Sequence, residues 1–235
     1  MKCKKTRLIL SLALLLLLLS SCCNMPRMLP DSYLEEGFVY VKDVIPDAIL
    51  DVRYYGNNNF IGRRIEGYLA PTVILTEEAT EALKRASDDF RRHGYVVKLF
   101  DGFRPQRAVN DFIIWATDLE DNRMKSEFYP AVDKSNLFSE GYIARRSGHS
   151  RGSTIDLTLV SLRTGEELDM GSPFDFFGAI SHHGSPLITP EQEENRKLLK
   201  DVMERAGFRA YDLEWWHYTL ANEPYPDTYF DFPVR

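Results

Sequence analysis

Two short segments of this 235-residue chain hold residues whose types and spacing could do chemistry: the run from Ser147 to Asp156 (SGHSRGSTID) and Glu214-Trp215-Trp216-His217. They offer two imidazoles and a carboxylate, His149, His217 and Asp156, a donor set suited to zinc with a coordination position left open. A further carboxylate, Glu214, precedes the last of these by three residues. Three protein ligands, an open position and a nearby base are the parts of a metal-dependent hydrolase.

The competing readings are structural. A lone histidine or aspartate in a folded domain is more often hydrogen-bonded than metal-bound, and Trp215 and Trp216 are expected to pack as wall or core. Alternation along 153–159 puts Ile155, Leu157 and Leu159 on one face and Thr154, Asp156 and Thr158 on the other, so Asp156 is expected on the polar face of a half-buried strand. His149 lies across the turn Ser150-Arg151-Gly152, a reversal that brings imidazole and carboxylate together. In a regular strand Glu214 and His217 face opposite ways, so both serve one site only if a turn or bulge intervenes. His182-His183 offers an alternative ligand, with at most one ring pointing inward. His93, at a helix end, reads as a surface residue. Arg104, at a strand-to-helix junction, fits a cleft-facing cation and a surface ion pair equally. The chain has no HExxH, which excludes a helix-borne zinc site of that kind.

The elements that must position these residues follow from pattern. Ala48 to Tyr54 is strand-like and runs into the turn-rich Gly56-Asn57-Asn58-Asn59. Thr76 to His93 reads as a helix with acidic Glu77 and Glu78 in its first turn and Gly94 after its end. Tyr95 to Phe100 is a short, mostly apolar strand, and Pro105 suits the first position of a helix reaching about Leu119. Thr189-Pro190-Glu191-Gln192 is a capping box that opens a third helix, closed by Gly207. Helices and short strands alternate irregularly, without GxGxxG or repeat, which predicts an α+β domain with a small, mainly antiparallel sheet flanked by helices.

Composition sets the class. With 44% hydrophobic and 12% aromatic residues the chain can bury a substantial core, and a net charge of -6 argues against nucleic acid as a partner. Lys2, Lys4, Lys5 and Arg7 followed by the apolar run Leu8 to Leu19 form a signal sequence too short to span a membrane comfortably. Leu19-Ser20-Ser21-Cys22 resembles a lipobox, so residues 1–21 are expected to be removed and Cys22 lipidated. Ordinary secretion with cleavage nearby is the alternative. The expected organisation is a tether over 22–37 and a catalytic domain over 38–235, lipid-anchored in a bacterial cell envelope. The three cysteines, Cys3, Cys22 and Cys23, all precede the folded part, so no disulfide staples it.

Several blocks in order, between about Tyr40 and Leu220, resemble the zinc D-alanyl-D-alanine dipeptidases, the family that includes the vancomycin-resistance dipeptidases. They are Asp51-Val52-Arg53-Tyr54, Asn59-Phe60, Asp101-Gly102-Phe103-Arg104-Pro105-Gln106, Ser147 to Thr158, Met170 to Phe177, Ser181-His182-His183 and Glu214 to Tyr218. The resemblance implies one zinc ion held by His149, Asp156 and His217, with Glu214 as catalytic base and Arg104 stabilising the transition state. It also implies that Ser147 and Asp175 bind a small D,D-dipeptide. Gly148 departs from the pattern, where a larger residue is common, and is expected to widen the entrance slightly. The lipobox is likewise foreign to the familiar soluble members. Two rival classes stand beside this one: a zinc carboxypeptidase or endopeptidase acting on peptidoglycan stems, and a non-catalytic cell-wall-binding lipoprotein. Intact ligands, base and arginine argue against the second.

Overall fold

The computed structural model describes residues 34–235. The expected signal sequence and lipidation at Cys22, and most of the expected tether, lie outside them.

In chain order the elements are β1 (Phe38–Tyr40), α1 (Val41–Val44), β2 (Ile49–Leu50), β3 (Ile74–Thr76), α2 (Glu77–Arg92), β4 (Tyr95–Asp101), α3 (Gln106–Thr117), α4 (Lys125–Phe128), β5 (Thr154–Ser161), α5 (Pro190–Arg205), β6 (Phe208–Tyr211) and β7 (Glu214–Leu220). Strands β1 and β3 form a two-stranded sheet, and the rest form a five-stranded sheet in the order β2-β4-β5-β7-β6. Only the β2–β4 pair is parallel, so the sheet is mainly antiparallel as its short, irregularly spaced strands predict.

Local chemistry explains the helix ends. Thr76 caps α2 by accepting from the Ala79 N–H, and Gly94 follows in the left-handed conformation with φ 86°. The capping box of α5 is complete: Thr189 accepts from the Gln192 N–H while the Gln192 side chain accepts from the Thr189 N–H. Pro105 stands at the N-cap of α3, one position earlier than expected. Helices α2 and α5 pack against each other and against the sheet, burying Leu83, Ala86 and Phe90 from one and Leu199, Val202 and Met203 from the other.

Two expectations need correction. The strand-like run from Ala48 pairs only over Ile49–Leu50. Asp51 N–H still donates to the Leu99 carbonyl at 2.9 Å, and then Arg53–Tyr55 closes into a 3-10 turn that leaves Tyr54 buried. Strand β5 is not half-buried either. Seven of its eight residues are buried, because β4 and β7 flank it and both faces are covered. Asp156 therefore sits in the interior, with only 1% of its surface exposed.

Candidate metal centre and catalytic cleft

Asp156 on β5 pairs directly with His217 on β7, so the two side chains share a face. His149 enters from the 3-10 turn Gly148–Arg151 immediately before β5. That turn is reversed by Gly152 at φ 83°, where a Cβ would lie 2.2 Å from the Phe38 ring; no other residue fits the conformation and the space together. The result is a tight group. Asp156 Oδ2 is 3.3 Å from His149 Nε2, Asp156 Oδ1 is 3.2 Å from His217 Nδ1, and the two ring nitrogens are 3.3 Å apart.

The donor set fits a divalent cation. His149 Nδ1 lies 2.7 Å from the Gly102 carbonyl, which only accepts, so the proton sits on Nδ1 and the Nε2 lone pair faces the group. Asp156 Oδ1 is buried and makes no well-formed hydrogen bond, although His217 stands beside it. Among the described residues His149, Asp156 and His217 are the cluster whose ligand atoms all fall within 4.8 Å of one another. His182 and His183 do not join it. His182 Nε2 is 3.5 Å from the Tyr142 hydroxyl, and the His183 ring packs edge-on to Tyr218 with centroids 6.3 Å apart while its backbone N–H donates to the Asp212 carbonyl. His93 is half-exposed beside Asp89 at the end of α2, a surface residue as expected.

Glu214 reaches the same group, 3.4 Å from His217 Nδ1. The required irregularity is in the β6–β7 ladder. Ala210 pairs with Tyr218 and Tyr211 with Glu214, so one step along β6 answers four along β7. Trp215, Trp216 and His217 thus bulge out of that ladder while β7 keeps its register with β5. Both tryptophans are buried, as their apolar bulk requires.

Burial sets the protonation of the site. It pushes the Glu214 carboxyl up to about 7, helped by the charge of Asp156 and opposed by His217 and Arg104. Burial would raise Asp156 too, but the adjoining His149 and His217 hold it well below the usual carboxylate range. Asp175 is pushed well above that range by burial and then by the charge of Asp156.

Arg104 is the cleft-facing cation of the first reading, and its ion pair is buried, not at the surface as the second had it. It makes a buried ion pair with Asp101 at 2.9 Å and lies 3.6 Å from Asp156, with its guanidinium over the Tyr54 and Phe112 rings at 4.9 and 5.1 Å. It also lines the cleft. Its backbone N–H donates to the His149 carbonyl at 3.3 Å, tying the arginine segment to the histidine turn. Ser147 caps that turn by accepting from the His149 N–H. Asp175 accepts from the Tyr54 hydroxyl at 2.9 Å and adopts φ 61°, rare for a residue with a side chain.

Sequence reasoning assigned no part to Asp101 or Tyr54. Asp101 is buried and anchors both Arg104 and the Tyr68 hydroxyl. The available signal was an acidic residue closing a mostly apolar strand. Gly148 lines the cleft, and a Cβ there would point at Thr154 Oγ1, 2.8 Å away, so the glycine lets the turn approach β5.

These side chains line a cleft of about 190 Å³, below the roughly 300–1,000 Å³ of drug-sized ligand sites. Tyr142, Phe177 and Tyr211 contribute aromatic walls.

The family model for D-Ala-D-Ala dipeptidases matches residues 34–235. The chain is 45% identical over 202 residues to a D-alanyl-D-alanine dipeptidase of Enterococcus faecium, covering 86% of this chain and all of that one. It is 43% identical over 197 residues to another from Streptomyces coelicolor, covering 84% of this chain and 98% of that one. A zinc-bound vancomycin-resistance D,D-pentapeptidase aligns over 66% of this chain and 77% of that one at a TM-score of 0.41 and 13% identity, too distant to bear on the site. With the match spanning every described residue, the chain belongs to the D-Ala-D-Ala dipeptidase family of peptidases.

Proposed function

We propose that this chain is a zinc-dependent dipeptidase that hydrolyses free D-Ala-D-Ala to two molecules of D-alanine. The observation that carries the reading is the convergence of His149, Asp156 and His217 beside a partly buried Glu214 whose carboxyl is pushed up to about 7, in a small cleft. Family membership supports the substrate.

His149, Asp156 and His217 would hold one zinc ion, which when bound supplies Lewis acidity toward the scissile carbonyl and makes water a competent nucleophile near neutral pH. Glu214 accepts a proton from the attacking water as its oxygen bonds to the carbonyl carbon. It then delivers that proton to the amine as the C–N bond breaks. Arg104, fixed by Asp101, presents cationic donors to the developing oxyanion without having to reorganise. Asp175 pairs with the free ammonium of the dipeptide, which stabilises the ionised form that burial otherwise disfavours. Ser147, at the cleft wall, offers a hydroxyl to the bound peptide. The N-terminal sequence supports attachment to a bacterial cell envelope through lipid on Cys22.

The test is kcat/KM for D-Ala-D-Ala, N-acetyl-D-Ala-D-Ala, L-Ala-L-Ala and a pentapeptide stem. An acetylated amine leaves the buried Asp175 without its partner, a loss on the order of 10²–10⁴-fold. The free D,D-dipeptide is expected far ahead of the rest. Equal cleavage of the acetylated form or the stem would replace this reading with a D,D-carboxypeptidase.

A further inference from the structure

Arg196 is a charged side chain in an unusual setting. It lies on α5, away from the cleft, with 1% of its surface exposed, and no carboxylate among the described residues forms an ion pair with it. A buried cation of this kind is tolerated only when its donors are satisfied. Here the partners are main-chain carbonyls. Nε donates to Met170 O at 2.6 Å, Nη1 to His182 O at 2.9 Å and Nη2 to Ile180 O at 2.9 Å, with Ser172 Oγ 3.5 Å from Nη2. Burial lowers its pKa to about 10, which leaves it charged at neutral pH.

The carbonyls belong to the two ends of one segment, residues 170–182. One planar guanidinium therefore closes the base of a loop whose middle carries Asp175 in its left-handed conformation. The same network extends to the base. Ser172 Oγ accepts from Trp215 Nε1 at 3.0 Å, next to Glu214, and lies 2.9 Å from Ser181 Oγ, which donates to the Phe176 carbonyl. A lysine has one donor centre and cannot span these diverging acceptors as the fork does.

We infer that Arg196 is a positioning residue for substrate selection: by clamping residues 170–182 at both ends it holds Asp175 where the substrate ammonium must dock. The inference rests on Asp175 being the ammonium partner. It makes Arg196 a determinant of preference for a free amino terminus, though it touches neither substrate nor metal ligand.

The test compares kcat/KM for D-Ala-D-Ala and N-acetyl-D-Ala-D-Ala in the full chain and in Asp175→Ala, Arg196→Lys and Arg196→Ala, with zinc content measured on each. Arg196→Lys is expected to fold, keep its zinc and lose on the order of 10²-fold on the free dipeptide, mostly in KM, since misplacement of a positioning group by about 1 Å costs that much. The acetylated substrate should be little affected, so the preference collapses toward that of Asp175→Ala. Added guanidinium should restore it in Arg196→Ala. A folded Arg196→Lys with the original preference would overturn the inference, as would equal losses on both substrates or failure of both Arg196 variants to fold. Should Asp175→Ala itself keep the preference, the ammonium reading falls and takes this one with it.

Discussion

Glu214 is chemically useful because burial places its pKa near 7, where one carboxyl can accept a proton and return it. The sign is definite. The base must be ionised, so kcat/KM should fall as pH drops through the Glu214 pKa. A nearby divalent cation favours the ionised carboxylate, so the acid limb should lie at or below about 7 in the metal-loaded enzyme. A limb lying well above 7 would point to another base. Arg104 belongs to the same scale. Its ion pair with Asp101 fixes the guanidinium in the cleft, so Arg104→Ala should keep its metal and lose on the order of 10²–10³-fold in kcat. A rise in KM alone would make Arg104 a binding residue only.

Apart from Asp156, which stands on the regular strand β5, several of the site's side chains are aimed by irregular pieces of backbone. The bulge in β7 brings Glu214 and His217 to one point, the left-handed Gly152 returns the His149 turn to β5, and Asp175 sits at φ 61°. Gly152→Ala should therefore cost about 1–2 kcal/mol for the backbone conformation alone, and more for the contact with Phe38. Thermal unfolding checks the first part, and weakened metal binding is the expected companion because His149 moves with the turn. A variant as stable as the parent would show that the turn relaxes freely. Legibility divides along the same line. The ends of α2 and α5 were readable because Glu77, Glu78 and Gly94 in one and Thr189, Gln192 and Gly207 in the other act within one turn of chain, although Thr76, read as helix, is the N-cap. The bulge was readable only as a requirement, since its place is fixed by how β6 and β7 pair across their hairpin and not by the pattern along β7 alone. The early end of β2 and the burial of both faces of β5 were hidden for the same reason: sheet order decides them.

At the scale of the whole described unit, the five-stranded sheet is the platform on which the site is assembled. Two of the proposed ligands stand on neighbouring strands, the third comes from the turn leading into one of them, and Arg104 follows a third strand. The C-terminal segment braces this assembly. Phe232 stacks on Phe103 at 4.1 Å, the Phe230 N–H donates to the Ser150 carbonyl, and the Tyr40 hydroxyl donates to the Arg235 carbonyl. The donor set could be read because His149, Asp156, Glu214 and His217 keep their types in recognisable runs; the role of Arg196 could not, because its partners lie 14 to 26 residues away, nor that of Asp101, whose link to Arg104 is local but whose burial and bond to Tyr68 are set by the fold. At the other end of the chain, the proposed anchor predicts that mature protein begins at Cys22 and partitions into detergent, and that Cys22→Ser abolishes both. An unlipidated mature form starting elsewhere would assign the protein to ordinary secretion.

The central claim is that three residues hold the metal while Glu214 serves as base. It is tested most directly by measuring bound zinc and D-Ala-D-Ala turnover together in His217→Ala and Glu214→Ala. The first should lose metal and activity together. The second should keep about one zinc per chain and lose about 10²-fold or more in kcat. Full zinc in His217→Ala, or loss of zinc from Glu214→Ala, would contradict the assignment.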